Sequence, residues 1–182
     1  SEYLHIGGDE VDMSQWEECP NCRALMAREG MADGHALEQD FLGRLTRILE
    51  ANGKRPAVWN EAIEGGELAR STRVHGWESV KACLDATAKG YRTVVMPGQY
   101  FYFDMRQSPH EDGHDWAAIF DVRKTYSFDF ARCGFTPAQE ANVLGVEGAF
   151  FSELYVSHNP ETPDYLDYMT FPRACALAEL GW

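Results

Sequence analysis

Five short apolar runs, each closed by glycine, proline or a polar residue, constrain this chain more than anything else in it. They fall at residues 3–8, 55–59, 72–77, 92–96 and 143–147. Helical patterns separate them. Residues 34–52 place Leu37, Phe41, Leu45, Ile48 and Leu49 at helical spacing, and Asn52-Gly53 supplies the stop. Further helices are expected at 64–70, 79–89, 116–121 and 163–180. Strand alternating with helix at this pitch builds β/α units with parallel strands. With 182 residues, 45% of them hydrophobic, the chain suffices for one domain, 1–182, with a real core. Only five strands are legible, and a closed (β/α)8 barrel needs eight.

The polar residues that follow the strands are the candidates for chemistry. His5-Ile6-Gly7-Gly8-Asp9-Glu10 runs a strand into two glycines and then sets two carboxylates side by side. Glycine lets the backbone turn sharply or approach a ligand. Paired carboxylates suit acid/base work, because their surroundings can split the two roles. Trp59-Asn60-Glu61, Trp77-Glu78, Tyr102–Asp104 and Glu153 follow later strands. Clustering at the carboxyl ends of parallel strands is the general rule for active sites in such folds. Residues 99–136 break the rhythm, and long excursions inside compact domains are usually functional.

Composition excludes more than it selects. The net charge of -13 and the lack of a Lys/Arg cluster argue against nucleic acid and acidic membrane surfaces as partners. No apolar run reaches the ~20 residues that span a bilayer. No leader is visible, but the sequence is expected to begin inside a fold, which leaves localisation and the export of a parent protein open. No glycine-rich nucleotide motif occurs, so no cofactor is expected. Cys19-Pro20-Asn21-Cys22 has the spacing of half a zinc site but lacks a second pair; a local disulfide fits if the protein is exported. His110, Glu111, Asp112, His114 and Asp115 sit in a polar loop with glycine, and no metal site is expected there.

Taken together, His5–Glu10, Trp59-Asn60-Glu61, Gly76-Trp77, Tyr102-Phe103-Asp104, residues 145–153 and the stretch from Tyr168 to Glu179 with its Phe171-Pro172-Arg173 resemble family-20 glycoside hydrolases, the β-N-acetylhexosaminidases. The similarity runs through almost the whole chain in the family's order. It implies an α/β fold that is a partial (β/α)8 TIM barrel, strands four to eight with their helices. It implies a retaining, substrate-assisted reaction, an exception to the two-carboxylate scheme. In that reading Glu10 is the general acid and base, Asp9 orients the substrate's acetamido group, and Tyr102 hydrogen-bonds the acetamido oxygen. Trp59 and Trp77 become aromatic walls, Asp104 and Glu153 bind sugar hydroxyls, and Trp116 stacks on the leaving-group sugar. Phe151 stands where the family usually has tryptophan.

Blander readings exist for each residue. Trp59 and Trp77 suit core filling as well as sugar stacking. His5 and His75 suit structural hydrogen bonding, and Glu61, Glu78 and Glu147 suit supporting positions at strand ends. A non-catalytic carbohydrate-binding half-barrel, or an inactive fragment, is the competing function for a chain whose expected partner is an N-acetylhexosamine-containing glycan. Five units would leave two open sheet edges, so a homodimer that completes the barrel is a further expectation.

Overall fold

A computed structural model describes residues 1–158 and 164–182. Five strands, β1 (Tyr3–His5), β2 (Arg55–Trp59), β3 (Arg73–Gly76), β4 (Arg92–Val95) and β5 (Val143–Val146), form one sheet in sequence order. Every neighbouring pair is parallel, with Leu4 opposite Pro56, Val58 opposite Val74 and Val74 opposite Thr93. This is the expected α/β architecture, a five-stranded part of a barrel.

Burial separates inner from outer strands. Val58, Val74 and Val95 on the three inner strands are fully buried, each contributing about 1.5–3 kcal/mol of apolar transfer. Leu4 on β1 and Leu144 on β5 remain 54% and 38% exposed. Parallel strands covered on both faces read as apolar runs, which is why the inner three were so legible.

After β1 come α1 (Ser14–Glu18), α2 (Pro20–Glu29) and α3 (Gly34–Ala51). Cys19 and Cys22 open α2 with both thiols free, not as a local disulfide. Asp33 caps α3 by accepting the Ala36 N–H at 3.0 Å. The helix spans the expected residues, but its buried stripe is Leu37, Glu38, Leu42 and Thr46. Phe41 and Ile48, although at helical spacing, are more than half exposed.

Three expected helices are corrected. At 64–70 there is none; a 3-10 turn at Asn60–Ile63 precedes it. Gly65 and Gly66 disfavour a helix, and buried Leu68 is instead tied at both its N–H and C=O to the Tyr91 hydroxyl, at 2.9 and 3.0 Å. The helix expected at 79–89 forms as α4 (Val80–Ala88), capped by Ser79. It packs so closely on β3 that a Cβ on Gly76 would lie 2.5 Å from Cys83 Sγ.

A short α5 (Gly98–Phe101) follows β4, and 116–121 is irregular. There Ala117, Ala118 and Phe120 pack against Met96, Tyr102 and Met105. The helix starts later, as α6 (Val122–Tyr126), because Asp121 caps it through the Arg123 N–H. Short α7 (Phe130–Cys133), α8 (Pro137–Glu140) and α9 (Glu153–His158) precede the terminal region. The single helix expected at 163–180 is two, α10 (Tyr165–Thr170) and α11 (Arg173–Gly181). Pro172 lacks the N–H that a continuous helix requires. Pro163 lies outside the described residues.

Candidate active site

The turn after β1 is built by backbone geometry. Gly7 and Gly8 have φ of 77° and 89°, and Glu10, at 41°, is the sole non-glycine residue with positive φ among those described. A Cβ on Gly8 would sit 2.6 Å from the Ala62 Cβ, so the second glycine is required by contact as well as by conformation. The turn is stitched to β2 by Ile6 N–H to Ala57 O at 2.8 Å and Trp59 N–H to Gly7 O at 3.1 Å. His5 Nδ1 accepts the Gly7 N–H at 3.1 Å, the structural role foreseen for it. Strained non-glycine backbone gathers at functional sites. Glu10 is such a residue.

Facing this turn is an aromatic wall. Trp77 follows β3, and its ring stacks at 19° on Tyr102, centroids 6.1 Å apart. Trp116 stands edge-on to both, at 5.7 Å from each. Phe151 tilts against Tyr102 at 5.3 Å. Tyr102 and Asp104 sit on a segment held by Phe103 N–H to Ala149 O at 2.7 Å and Ala149 N–H to Phe101 O at 3.0 Å. A Cβ on Gly148 would lie 2.7 Å from the Phe103 ring, so this joint admits only glycine.

These elements enclose a pocket of about 410 Å³ lined by Asp9, Glu10, Trp59, Trp77, Tyr102, Asp104, His114, Trp116, Phe151 and Glu153. All nine residues nominated from the sequence therefore meet at one place. His114 is the tenth. The sequence reading placed it only in a rejected metal cluster, and it reaches the pocket because its N–H pairs with Asp104 O at 2.9 Å. Among the described residues, no group of three or more His, Cys, Asp or Glu is arranged to hold a metal ion.

Burial sets the electrostatics of the wall. Asp104 is 3% exposed, and desolvation pushes its carboxyl up to about 6. The backbone N–H groups of Asp104 and Phe151 and the His114 ring pull it down, and Glu153 adds to the rise. Its Oδ1 is buried without a hydrogen-bond partner, so it seeks a donor. Burial drives the Tyr102 hydroxyl far above the ordinary tyrosine value, and Asp104, Glu61, Asp9 and Glu147 reinforce that. Tyr102 therefore stays a hydroxyl donor. Beneath the turn, burial lowers His5 to about 4; neighbouring His75 acts in the same sense, while Asp9 and Glu147 oppose.

Two groups support the wall: buried Arg173, to which the sequence reading gave no role, and Glu61, which it placed in a supporting position at a strand end. Arg173, 0% exposed, donates to Phe103 O at 2.7 Å, Met105 O at 2.8 Å, Met169 O at 3.0 Å and Phe120 O at 3.3 Å. It thereby clamps the segment that carries Tyr102 and Asp104. Its guanidinium also lies 5.0 and 5.3 Å from the Phe120 and Phe103 ring centroids, and burial lowers its pKa to about 10. Glu61 accepts the Trp77 indole N–H at 2.8 Å. The sequence offered only the Arg after Phe171-Pro172 and a carboxylate beside Trp59.

Comparison with known proteins agrees with this geometry. The profile of the glycosyl hydrolase family 20 catalytic domain matches residues 1–182. The chain belongs to that family. It is 33% identical over 184 residues to a β-hexosaminidase of Vibrio furnissii, covering all of this chain and 29% of that protein. It is 30% identical over 187 residues to the β-hexosaminidase subunit alpha of Rattus norvegicus, covering 99% of this chain and 32% of that one. In structure it resembles the family-20 exo-β-N-acetylglucosaminidase of Vibrio harveyi crystallised with N-acetylglucosamine. There the TM-score is 0.87 at 33% identity, over all of this chain and 28% of that one. The chain thus spans about a third of the length of the family-20 proteins it matches.

Proposed function

We propose that this chain carries the acid/base half of a β-N-acetylhexosaminidase site and acts on terminal β-linked N-acetylhexosamine of glycans. The observation that carries this reading is the pocket itself. An Asp-Glu pair on a strained turn faces a buried tyrosine hydroxyl and an unsatisfied aspartate oxygen, with aromatic rings between them. A sugar offers both chemistries, apolar ring faces and hydroxyl donors.

In the proposed reaction the Glu10 carboxylic acid protonates the glycosidic oxygen while the substrate's own acetamido oxygen attacks the anomeric carbon. The bond to the leaving group breaks, and a cyclic oxazolinium forms. Asp9 accepts the acetamido N–H and stabilises the developing positive charge, and Tyr102 donates to the acetamido oxygen and orients it. Glu10, now ionised, takes a proton from water as that water opens the ring with net retention. An internal nucleophile needs only orientation, which a rigid wall supplies. Trp59 and Trp77 would flank the sugar, Asp104 and Glu153 would bind its hydroxyls, and Trp116, at the exposed rim, would meet the leaving group. Phe151 offers stacking without an indole N–H.

The test is a pair of aryl substrates. The β-N-acetylglucosaminide should be cleaved and the matching β-glucoside scarcely touched; equal cleavage of both would sink substrate assistance. A second reading, sugar binding without turnover, is favoured by one observation: Asp9 and Glu10 follow an edge strand whose Leu4 is exposed. N-acetylglucosamine binding with no hydrolysis selects it. A second copy of the chain covering the exposed Leu4 and Leu144 edges remains our proposal for assembly. Solution mass decides it: a dimer is expected, and a fully active monomer contradicts it.

A further inference from the structure

We infer, resting on the functional reading above, that His114 is a specificity-determining residue that shares a sugar hydroxyl with Asp104. The carboxylate accepts the hydroxyl proton while an imidazole N–H donates to the hydroxyl oxygen.

The loop that carries His114 is built to hold it. Gly113, at φ 143°, lies against the chain at Arg106, where a Cβ would come within 2.8 Å of the Arg106 Cβ and 2.9 Å of its Cα. Only glycine permits that approach. The approach lets the next residue pair with the segment that bears Asp104. His114 N–H donates to Asp104 O at 2.9 Å, and His114 O accepts the Arg106 N–H at 2.8 Å. On its far side the loop is tied to α10. The Tyr168 hydroxyl donates to Glu111 Oε1 at 2.8 Å, and the Tyr165 hydroxyl to Asp112 O at 3.3 Å.

Alternation then aims the side chains. Asp115 turns away from the pocket to pair with Arg106, whereas His114 and Trp116 on either side of it both line the pocket. Both main-chain groups of His114 are spent on the bridge to 104–106. Its imidazole is left to the pocket.

The chemistry of the lining gives that imidazole a task. Asp104 is 3% exposed, and its Oδ1 has no partner. An ionised carboxylate only accepts, but a hydroxyl carries one proton and two acceptor lone pairs. Asp104 can take the proton and leaves the oxygen in need of a donor. The other acidic groups of the lining, Asp9, Glu10 and Glu153, do not supply one when ionised. The Trp77 indole N–H is already given to Glu61 at 2.8 Å, and Tyr102 serves the acetamido oxygen in the proposed reaction. Among the described residues that line the pocket there is no lysine or arginine. An imidazole donates from whichever nitrogen holds its proton, and His114 is bonded through its backbone to Asp104 itself. A donor and an acceptor side by side read a hydroxyl more strictly than either alone, because its loss strands both.

Titration of the chain with N-acetylglucosamine, followed in proton–nitrogen correlation spectra, gives the dissociation constant. His114→Ala and His114→Phe should each raise it about three- to tenfold, the loss of one hydrogen bond. Melting temperatures should stay close to the parent's, since the bridge is made by main chain. Monodeoxy analogues of N-acetylglucosamine, each lacking one hydroxyl, locate the contact. On one of them His114→Ala should change the constant by less than about twofold, while the others keep the full loss. Unchanged affinity in both variants overturns the inference, and so does an equal loss on every analogue. Affinity kept by phenylalanine alone makes the ring a packing surface instead of a donor, which overturns it too. If His114→Ala does not fold, His114→Phe decides alone on the same ligands. A parent chain that binds no N-acetylglucosamine refutes the functional reading, and the role of His114 falls with it. A parent that binds the sugar while ignoring His114 refutes the inference alone.

Discussion

The two sides of the pocket are made in different ways. The aromatic side, Trp77, Tyr102 and Asp104, follows inner strands and rests on a buried clamp, Arg173. The carboxylate side, Asp9 and Glu10, follows the edge strand β1 and owes its shape to two glycines and a positive φ at Glu10. Packing builds the binding surface, whereas backbone conformation aims the acid. Damage to the first should therefore appear as lost stability, and damage to the second as lost rate.

The largest expected effect is on the carboxylate side. Glu10→Gln should reduce turnover by about 10²–10⁴-fold on poor leaving groups, and less on activated aryl ones that need little protonation. Because Glu10 is exposed, its stability should stay within about 0.5 kcal/mol of the parent's. A large loss in denaturant melts would erase the distinction between the two sides.

Arg173→Met should do the reverse. It strands the carbonyls of Phe103, Met105 and Phe120 that the guanidinium now satisfies. We expect a loss of about 3–5 kcal/mol in urea unfolding. A loss below about 1 kcal/mol would mean that the wall stands without its clamp.

Acid titration of stability sharpens the contrast, because the two sides oppose each other. Asp104 titrates near 6 folded against 3.8 ordinarily, so the unfolded chain ionises first. Stability from this group falls as pH rises from about 4 to about 6, by at most about 3 kcal/mol. His5, near 4 folded against 6.5 ordinarily, works the other way. The unfolded chain takes the proton first, so its contribution is present above 6.5 and is lost as pH falls toward 4. Asp104→Asn should leave a profile that rises with pH across this window, and His5→Asn one that falls. Identical profiles in both variants would refute the opposition.

Gly8→Ala is the smallest of these. It forces a Cβ against Ala62 at φ 89° and should cost about 1–3 kcal/mol, together with activity, since Glu10 lies two residues on. Melting temperature and rate should fall together; full rate at reduced stability would free the turn from its role in aiming Glu10.

Much of this was legible in the chain. The inner strands show as apolar runs because both of their faces are covered. The nine pocket residues were nominated because strand ends concentrate chemistry and because their motifs recur in one family. The helices were less legible. Gly65-Gly66, Asp121 and Pro172 each carried a local signal that periodicity overrode, and the Leu68 backbone found its partner in Tyr91, 23 residues away.

By itself, then, the sequence determined the order of β/α units and the glycine turn before Asp9-Glu10, since propensity, periodicity and φ are local properties, and its resemblance to one family named nine of the ten residues that line the pocket. Tertiary structure alone decided the rest. Which face of α3 is buried, why Asp104 holds its proton to about 6, and that Arg173 and Glu61 brace the wall all depend on distances between segments far apart in the chain. Desolvation and hydrogen-bond reach are fixed by what the fold brings near, and no local pattern records that.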